Sequence, residues 1–301
     1  MTYLSLGLIG HGSVALIHAR ALGDLADVRL AGVFGRDLDR ARRFAAPLGA
    51  SAFDRLDPFL DGLDAVIVAS PSAAHVGHAT SVLRAGVSAL VALPAAPDGA
   101  ALDRLAGAAG DGARLLATHT ARYLPATAAT SRVLTASALG RIRSVSIERQ
   151  VRVRDRAWVD DPLLHHGQHA IDLCATWFER VDVRDARWAD GGRRVQLQAL
   201  VGEDIAATID IAHDATRDAQ RIRIVGSDGT LTSDGFGIVS TDPGEPGSSS
   251  DIAPEDAYHA AIADQDAAFV GALRGKAAYP AIALTRANTA VVERARRLAD
   301  G

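Results

Sequence analysis

One short stretch near the start constrains this chain more than any other. Leu4-Ser-Leu-Gly-Leu-Ile-Gly10-His11-Gly12-Ser13-Val14-Ala15 runs from a strand-type apolar segment into G-x-G-x-x-A and then into a helical pattern. Gly10 permits a tight turn, and Gly12 lets backbone approach a pyrophosphate without a Cβ in the way. Ala15 allows close packing of helix on strand. The helix start presents free N–H groups to phosphate oxygens. A strand, turn and helix of this kind imply a dinucleotide site, with Gly10, His11, Gly12, Ser13 and Val14 as candidate cofactor contacts.

The second strand indicates which dinucleotide. An acidic residue about 20 positions after the glycines usually holds the ribose 2′-hydroxyl of NAD. Here that strand ends Gly32-Val33-Phe34-Gly35-Arg36, with glycine at the carboxylate position and a guanidinium next to it. Arg36 suits a 2′-phosphate through charge-assisted bonds. The expectation is NADP, with NAD as the second choice. The bland alternative leaves Arg36 solvated and gives Asp37 a capping role.

Apolar runs at residues 4–9, 28–34, 65–69, 88–91 and 114–117 alternate with helical patterns. That order implies an α/β Rossmann domain over residues 1–118, a doubly wound parallel sheet. From about residue 141 the runs lengthen, at 141–156, 195–200, 205–211 and 221–225, with turn signals between them. A helix over residues 165–178 interrupts these runs, and two more are predicted at 257–273 and 283–298. Residues 119–301 therefore read as an α+β domain with a large, open, mainly antiparallel sheet, whose C-terminal helix packs back on the first domain.

Composition excludes several classes. The net charge is −4 with no basic block, so nucleic acid is not expected as a partner. No apolar run reaches the roughly 18–20 residues of a membrane span, and the N-terminus lacks a signal peptide pattern. Cys174 is the single cysteine, so no internal disulfide or thiolate metal cluster is expected. The cytoplasm is the expected compartment. Lys276 is the single lysine, so any lysine-dependent mechanism has one candidate.

The chain resembles the Gfo/Idh/MocA oxidoreductases along nearly its whole length. The matching residues are Gly10–Ala15, Ala69-Ser-Pro-Ser-Ala-Ala-His75, Ala85-Gly-Val87, His169-Ala-Ile-Asp172 and Ile222-Arg-Ile-Val-Gly-Ser-Asp-Gly229. The resemblance implies that Ser70 and Pro71 lie near the nicotinamide, and it adds His75, Leu93 and Pro94 to the cofactor site. It also implies a second domain with a large open sheet, through which homodimers or homotetramers form. Two departures stand out. Where the family usually has Glu-Lys-Pro, this chain has Ala92-Leu93-Pro94, and the usual aspartate four residues before the histidine is His165. Residues 156–173 are similar to a branch of the family that lacks the lysine and oxidises a cyclic hemiacetal with NADP.

His165, His169, Asp172 and Thr176 fall at i, i+4, i+7 and i+11, which is one stripe of a regular helix. Hydride transfer from a carbinol needs a base for the hydroxyl proton, and imidazole suits that task. The expected roles are His169 as acid/base, His165 as a second polar contact, and Asp172 as the group orienting His169. His166 should point about 100° away from His165. A zinc reading of His-x-x-x-His exists, but the spacing alone is weak and no metal is expected. Arg152, Arg154 and Arg156 alternate along the predicted strand. With Arg122 they would clamp a carboxylated substrate, Arg122 and Arg156 being the favoured pair, or else they form a solvated face. Trp158 and His166 join them as candidate substrate contacts.

The leading expectation is an NAD(P)-dependent dehydrogenase or reductase. Its substrate would be a small hemiacetal, semialdehyde or sugar-like carbonyl compound, with carboxylated ones favoured. The alternatives are a sugar or polyol oxidoreductase and a non-catalytic dinucleotide-binding regulator or scaffold, the latter suggested by Ala92-Leu93-Pro94.

Overall fold

The computed structural model describes residues 3–110, 112–153, 160–213, 218–237, 239–242 and 253–301. The chain divides into two compact units. The first comprises residues 1–118 and 262–286, the second residues 119–261 and 287–301.

The first unit alternates β1 (Leu4–Ile9), α1 (Ser13–Gly23), β2 (Val28–Phe34), α2 (Leu38–Ala45), β3 (Ser51–Phe53), α3 (Leu56–Leu60), β4 (Ala65–Val68), α4 (His75–Arg84), β5 (Ser88–Val91), α5 (Gly99–Ala106) and β6 (Leu115–Ala117). The strands form one sheet in the order β3-β2-β1-β4-β5-β6, and every pairing is parallel. A parallel sheet covered on both faces needs uninterrupted apolar strands. β4 meets this demand throughout and β5 from Ala89 on, and both are buried at every position. Successive side chains feed opposite layers: Ala65 and Ile67 join the cluster around α1, and Val66 and Val68 join the one around α4.

Residues 262–286 complete this unit, and Phe269 and Val270 enter the α1 layer. A buried polar contact accompanies them. Nδ1 of His18 lies 3.0 and 2.8 Å from the two carboxylate oxygens of Asp266, and both residues are almost fully buried. Leaving a buried polar group without its partner costs about 1–3 kcal/mol, more where charge is involved. Asp266→Ala is therefore expected to lower the urea midpoint at unchanged slope. A loss below about 0.5 kcal/mol would mean the pair contributes nothing net.

The second unit contains α6 (Pro125–Thr135), β7 (Ile142–Val151), α7 (Gln168–Phe178), β8 (Val181–Ala189), β9 (Arg194–Val201), β10 (Ile205–His213), β11 (Ala219–Gly226), β12 (Thr230–Ser233) and β13 (Val239–Asp242). Two long helices, α8 (Pro254–Leu273) and α9 (Ile282–Asp300), contribute residues to both units. The sheet order is β13-β12-β11-β7-β10-β9-β8, antiparallel except for the β7–β10 pair. The α/β class, the parallel first sheet and the mainly antiparallel second sheet are those expected.

One face of this sheet is apolar. Val145, Ile147, Leu197, Ile209, Ile211, Ile222 and Ile224 pack against Ile171, Leu173 and Cys174 of α7. The other face is polar, with Asp210 accepting hydrogen bonds from Arg194 and Gln196, and Arg187 donating to Gln196.

β7 ends at Val151, earlier than the predicted strand, so Arg152 lies beyond it with its backbone N–H donated to Asp218. Arg152, the first arginine of the expected row, is therefore not part of that strand. Arg154, Arg156 and Trp158 lie outside the described residues.

Candidate active site

The first unit builds a phosphate cradle at the end of β1. Gly10 has φ +114°, and a Cβ there would stand 2.6 Å from the Ala69 carbonyl oxygen, so only glycine fits. The space above Gly12 is open, with nothing within 4 Å of an added Cβ. Gly12 also starts α1, and no side chain caps that helix end. The first N–H groups of α1 thus have no protein side chain to satisfy them, which suits an anion.

At the end of β2 the reason for Gly35 becomes visible. A Cβ there would come within 2.6 Å of the His11 ring. A side chain at the position that carries a ribose-binding carboxylate in many NAD sites would have to displace the His11 ring. Arg36 is exposed, and Asp37 caps α2 by accepting the Arg40 backbone N–H at 3.0 Å. That bond holds the Asp37 carboxyl below its usual range.

His75 behaves differently from expectation. It is 2% exposed, and its two ring nitrogens lie 2.8 Å from the Pro94 carbonyl and 2.7 Å from the Ser70 carbonyl. It ties the β4 and β5 loops together through their backbone rather than offering a free nitrogen to a ligand. The Leu93 side chain is buried in the apolar core, and its N–H is donated to Thr118 Oγ1 at 3.1 Å. Ser70 Oγ lies 2.9 Å from His78 Nδ1, and Pro71 is exposed.

The second unit holds a cavity of about 110 Å³. One water centre needs roughly 10–15 Å³ by the same measure, so several waters or a ring-sized group fit. Its apolar lining includes Leu124, Ile147, Leu173 and Phe236. Its polar lining is Arg149, His165, His166, His169, Gln220 and Tyr258, with Thr120. Among the described residues no carboxylate lines it.

The histidines sit where a π-helical turn, Leu163–Gly167, runs into α7. Asp161 organises this turn. Its carboxylate accepts the Leu164 N–H at 2.8 Å and pairs with Arg296. A π turn closes i→i+5 bonds and so shifts the phase of residues before it relative to those after. One expectation fails for that reason. His166 does not point away from His165: the rings stack with centroids 4.2 Å apart. Within the regular turns of α7, His169, Ala170 and Leu173 line the cavity, and Asp172 lies off that face.

Asp172 does not orient His169. It accepts from His119 Nδ1 at 3.1 Å, from Arg122 Nε and Nη2 at 2.9 and 2.8 Å, and from Asn288 Nδ2 at 2.8 Å. Arg122 is thereby a structural partner and not the expected substrate clamp. Burial alone would raise the Asp172 carboxyl, but the His119 and Arg122 donors hold it well below its usual value.

The Nδ1 atom of His169 is buried without a hydrogen-bond partner. Burial, then the Arg149 charge and His165, push its pKa down to about 3. The same causes, with burial first, lower His166. Nδ1 of His166 lies 2.7 Å from Nε2 of His213, so one ring donates to the other. The cavity lining thus combines the neutral imidazoles of His166 and His169 with the Arg149 guanidinium. Among the described residues no cluster of three or more potential metal ligands is present.

Three of these polar groups escaped sequence reading although alternation marks them. Val145, Ile147 and Arg149 share the core-facing phase of β7; Ile209, Ile211 and His213 share that of β10; Ile224, Ile222 and Gln220 share that of β11. Each strand places a polar residue where its apolar series should continue, and Arg149 and Gln220 pair directly in register.

A parallel Rossmann unit with an open phosphate cradle, joined in sequence to an open-sheet unit with a histidine cavity, defines a dinucleotide-dependent oxidoreductase architecture. Comparison with known proteins relates residues 4–118 to a family. The model of the Gfo/Idh/MocA "Oxidoreductase family, NAD-binding Rossmann fold" matches residues 4–118. UDP-N-acetylglucosamine 3-dehydrogenase of Acidithiobacillus ferrooxidans is 28% identical over 281 residues, 88% of each chain. A 4-carboxy-2-hydroxymuconate-6-semialdehyde dehydrogenase of Sphingobium sp. is 25% identical over 184 residues, 57% of this chain and 58% of that one. GenD2 from gentamicin A biosynthesis, solved in complex with NAD, superposes with a TM-score of 0.86 at 22% identity, over 100% of this chain and 95% of that one. Residues 4–118 thus carry the NAD-binding Rossmann fold of the Gfo/Idh/MocA oxidoreductase family, and the chain is similar to a dehydrogenase over 88% of its length.

Proposed function

We propose that this protein is an NAD(P)-dependent dehydrogenase that oxidises the CH–OH carbon of a small sugar-like or hemiacetal substrate, or reduces the matching carbonyl. The observation that carries the reading is His169: a cavity-lining imidazole, held neutral, whose buried Nδ1 has no partner. A buried polar atom without a partner calls for an explanation, and a proton-accepting role supplies one. The relatives' names, a nucleotide-sugar dehydrogenase and a semialdehyde dehydrogenase, point to the same reaction class.

In the oxidative direction the substrate C–H bond breaks with its electron pair and the O–H proton passes to His169. The dinucleotide, when bound, supplies the hydride acceptor. Gly10, Gly12 and the α1 start would hold its pyrophosphate, and Ser70 and Pro71 would lie toward its nicotinamide. His165 offers a second polar contact to the reacting oxygen, and His166 is fixed by His213. No lysine takes part: Leu93, at the family's lysine position, lies in the core.

NADP is the favoured cofactor. Glycine stands at the carboxylate position and Arg36 is free of any ion pair among the described residues, both of which suit a 2′-phosphate. Titration with NADPH and NADH, followed by nucleotide fluorescence, tests this. A charge-assisted bond is worth about 1.5–3 kcal/mol, so Arg36→Ala should weaken NADPH by roughly 10- to 100-fold and leave NADH nearly unchanged. Equal affinity for both nucleotides in the wild type would assign NAD instead. Failure to bind either would return the protein to the second reading, a non-catalytic member, which the loss of the Glu-Lys pair at Ala92-Leu93 motivates. A homodimer or homotetramer through the polar face of the second sheet belongs to the same proposal and is read by light scattering.

A further inference from the structure

We propose that Arg149 is the specificity residue of the histidine cavity, and that it selects a substrate carrying an anionic oxygen group, a carboxylate or a phosphate, beside the reacting carbinol. This rests on the dehydrogenase reading above and names the substrate class of that same cavity.

The position is the first argument. Core-facing residues of β7 run Val145, Ile147, Arg149, and the first two are 2% and 1% exposed. A guanidinium in that series gives up hydration that a solvated arginine keeps. Across the strand pair stands Gln220, a neutral amide with both donors and acceptors. Tyr258 of α8 closes the same cavity with a phenol that burial keeps in its protonated form.

The second argument is charge. Other arginines in this unit have carboxylate partners: Arg122 with Asp172, Arg194 with Asp210, Arg294 with Asp182 and Arg296 with Asp161. Among the described residues Arg149 forms no ion pair. The carboxylate acting on it most directly, Asp218, does so only through its charge, and its Oδ1 accepts from Arg152. The cavity lining therefore holds the Arg149 charge beside two imidazoles, His166 and His169, that burial keeps neutral. A desolvated cation without a counter-ion is costly, and a bound anion relieves that cost. The planar fork matches a carboxylate or phosphate in bidentate fashion, which a neutral hydroxyl cannot use.

The third argument links recognition to chemistry. After burial, the Arg149 charge is the largest cause lowering both His166 and His169. An anion on the guanidinium cancels that influence and makes His169 a stronger base. The correct substrate would thus raise the basicity of the group that deprotonates it, whereas a neutral analogue would not.

The test uses the full chain loaded with NADPH or NADP and matched probe sets: glucose, galactose and mannose, their uronates, and their 6-phosphates. Binding is read by calorimetry, turnover by nucleotide absorbance. Charged probes should bind at least about tenfold more tightly than their neutral parents. Arg149→Gln should abolish that gap and leave neutral sugars within about threefold, and Arg149→Lys should retain part of it. A gap confined to uronates assigns a carboxylate, and one confined to phosphates assigns a phosphate. Should Arg149→Gln not fold by circular dichroism, Arg149→Lys decides, because it keeps the charge and loses the fork. The proposal is overturned if neutral sugars bind as well as charged ones, if no charged probe binds, or if the gap survives the substitutions. The dehydrogenase reading fails separately. Arg149-dependent binding without turnover of any probe on either nucleotide would keep the anion subsite and discard the redox role.

Discussion

Replacing His169 by alanine lowers kcat by about 100-fold or more and leaves NADPH affinity within about twofold, the range general-base removal typically spans. The expectation follows from where the ring sits. It lines the second unit's cavity, while the phosphate cradle is built from β1, α1 and β2 of the first. Steady-state kinetics together with nucleotide titration separate the two effects, and a fall in kcat of less than tenfold would remove His169 from the mechanism. The pH dependence adds a second check. With a pKa near 3, the free-enzyme ring is already neutral at every working pH, so kcat/KM should show no acid limb near 6.5 from this group. If an anionic substrate neutralises Arg149, the limb moves upward in kcat, which reports the substrate complex. The same shift has a stability signature. The folded value lies below the unfolded value of 6.5, so the folded state binds fewer protons in between. Its contribution is complete above pH 6.5 and is lost as pH falls towards 3, at up to about 1.4 kcal/mol per pH unit. His169→Asn should flatten that part of the acid-unfolding curve.

The parallel unit was legible because its signals are local. The glycine turn, the short apolar strands and the intervening helices lie in sequence order, and Gly10 and Gly12 do what a strand–turn–helix cradle requires. Gly35 and Arg36 fall at the end of β2 as read, but the approach of the His11 ring to Gly35 could not be seen without the fold. The second unit was legible in class and less so in detail. β8 went unread because Val181–Ala189 carries Asp182, Arg184 and Asp185 among its apolar positions. The histidine helix was placed correctly, yet a stripe computed at 3.6 residues per turn assumes an unbroken α-helix, and one π turn is enough to bring His166 beside His165. Arg122 was misassigned because its partner stands 50 residues away in sequence. Arg149 was overlooked although period-2 alternation marked it. A charged residue in a core-facing series is a stronger pointer to a site than a row of exposed arginines.

Asp172→Ala should be the most damaging single change in the second unit, costing about 3–5 kcal/mol, the usual result of removing one partner from a buried ion pair. Asp172 is fully buried and receives four hydrogen bonds, from His119, from two nitrogens of Arg122, and from Asn288. Those donors come from the segment before α6 and from α9, so one carboxylate on α7 joins three parts of the unit. Alanine would strand the Arg122 guanidinium, whose side chain is only 22% exposed, beside a buried imidazole. Asparagine keeps the shape but turns an NH2 group toward donors, so Asp172→Asn should recover little of the loss. Total stabilities of about 5–15 kcal/mol make either change visible as poor soluble yield. Guanidinium unfolding of whatever folds gives the number, and a loss below about 1 kcal/mol would show that the network is incidental. The pH window distinguishes this residue from the histidines. Its folded pKa is depressed from 3.8, so its stabilisation is present above that pH and disappears only as pH falls further. Acid unfolding should then have two separable steps, one between pH 6.5 and 3 that His169→Asn reduces, and one below 3.8 that Asp172→Asn removes. The two groups sit three residues apart on one helix, and that separation would show them serving different ends: Asp172 holding the unit together, His169 left free to take a proton.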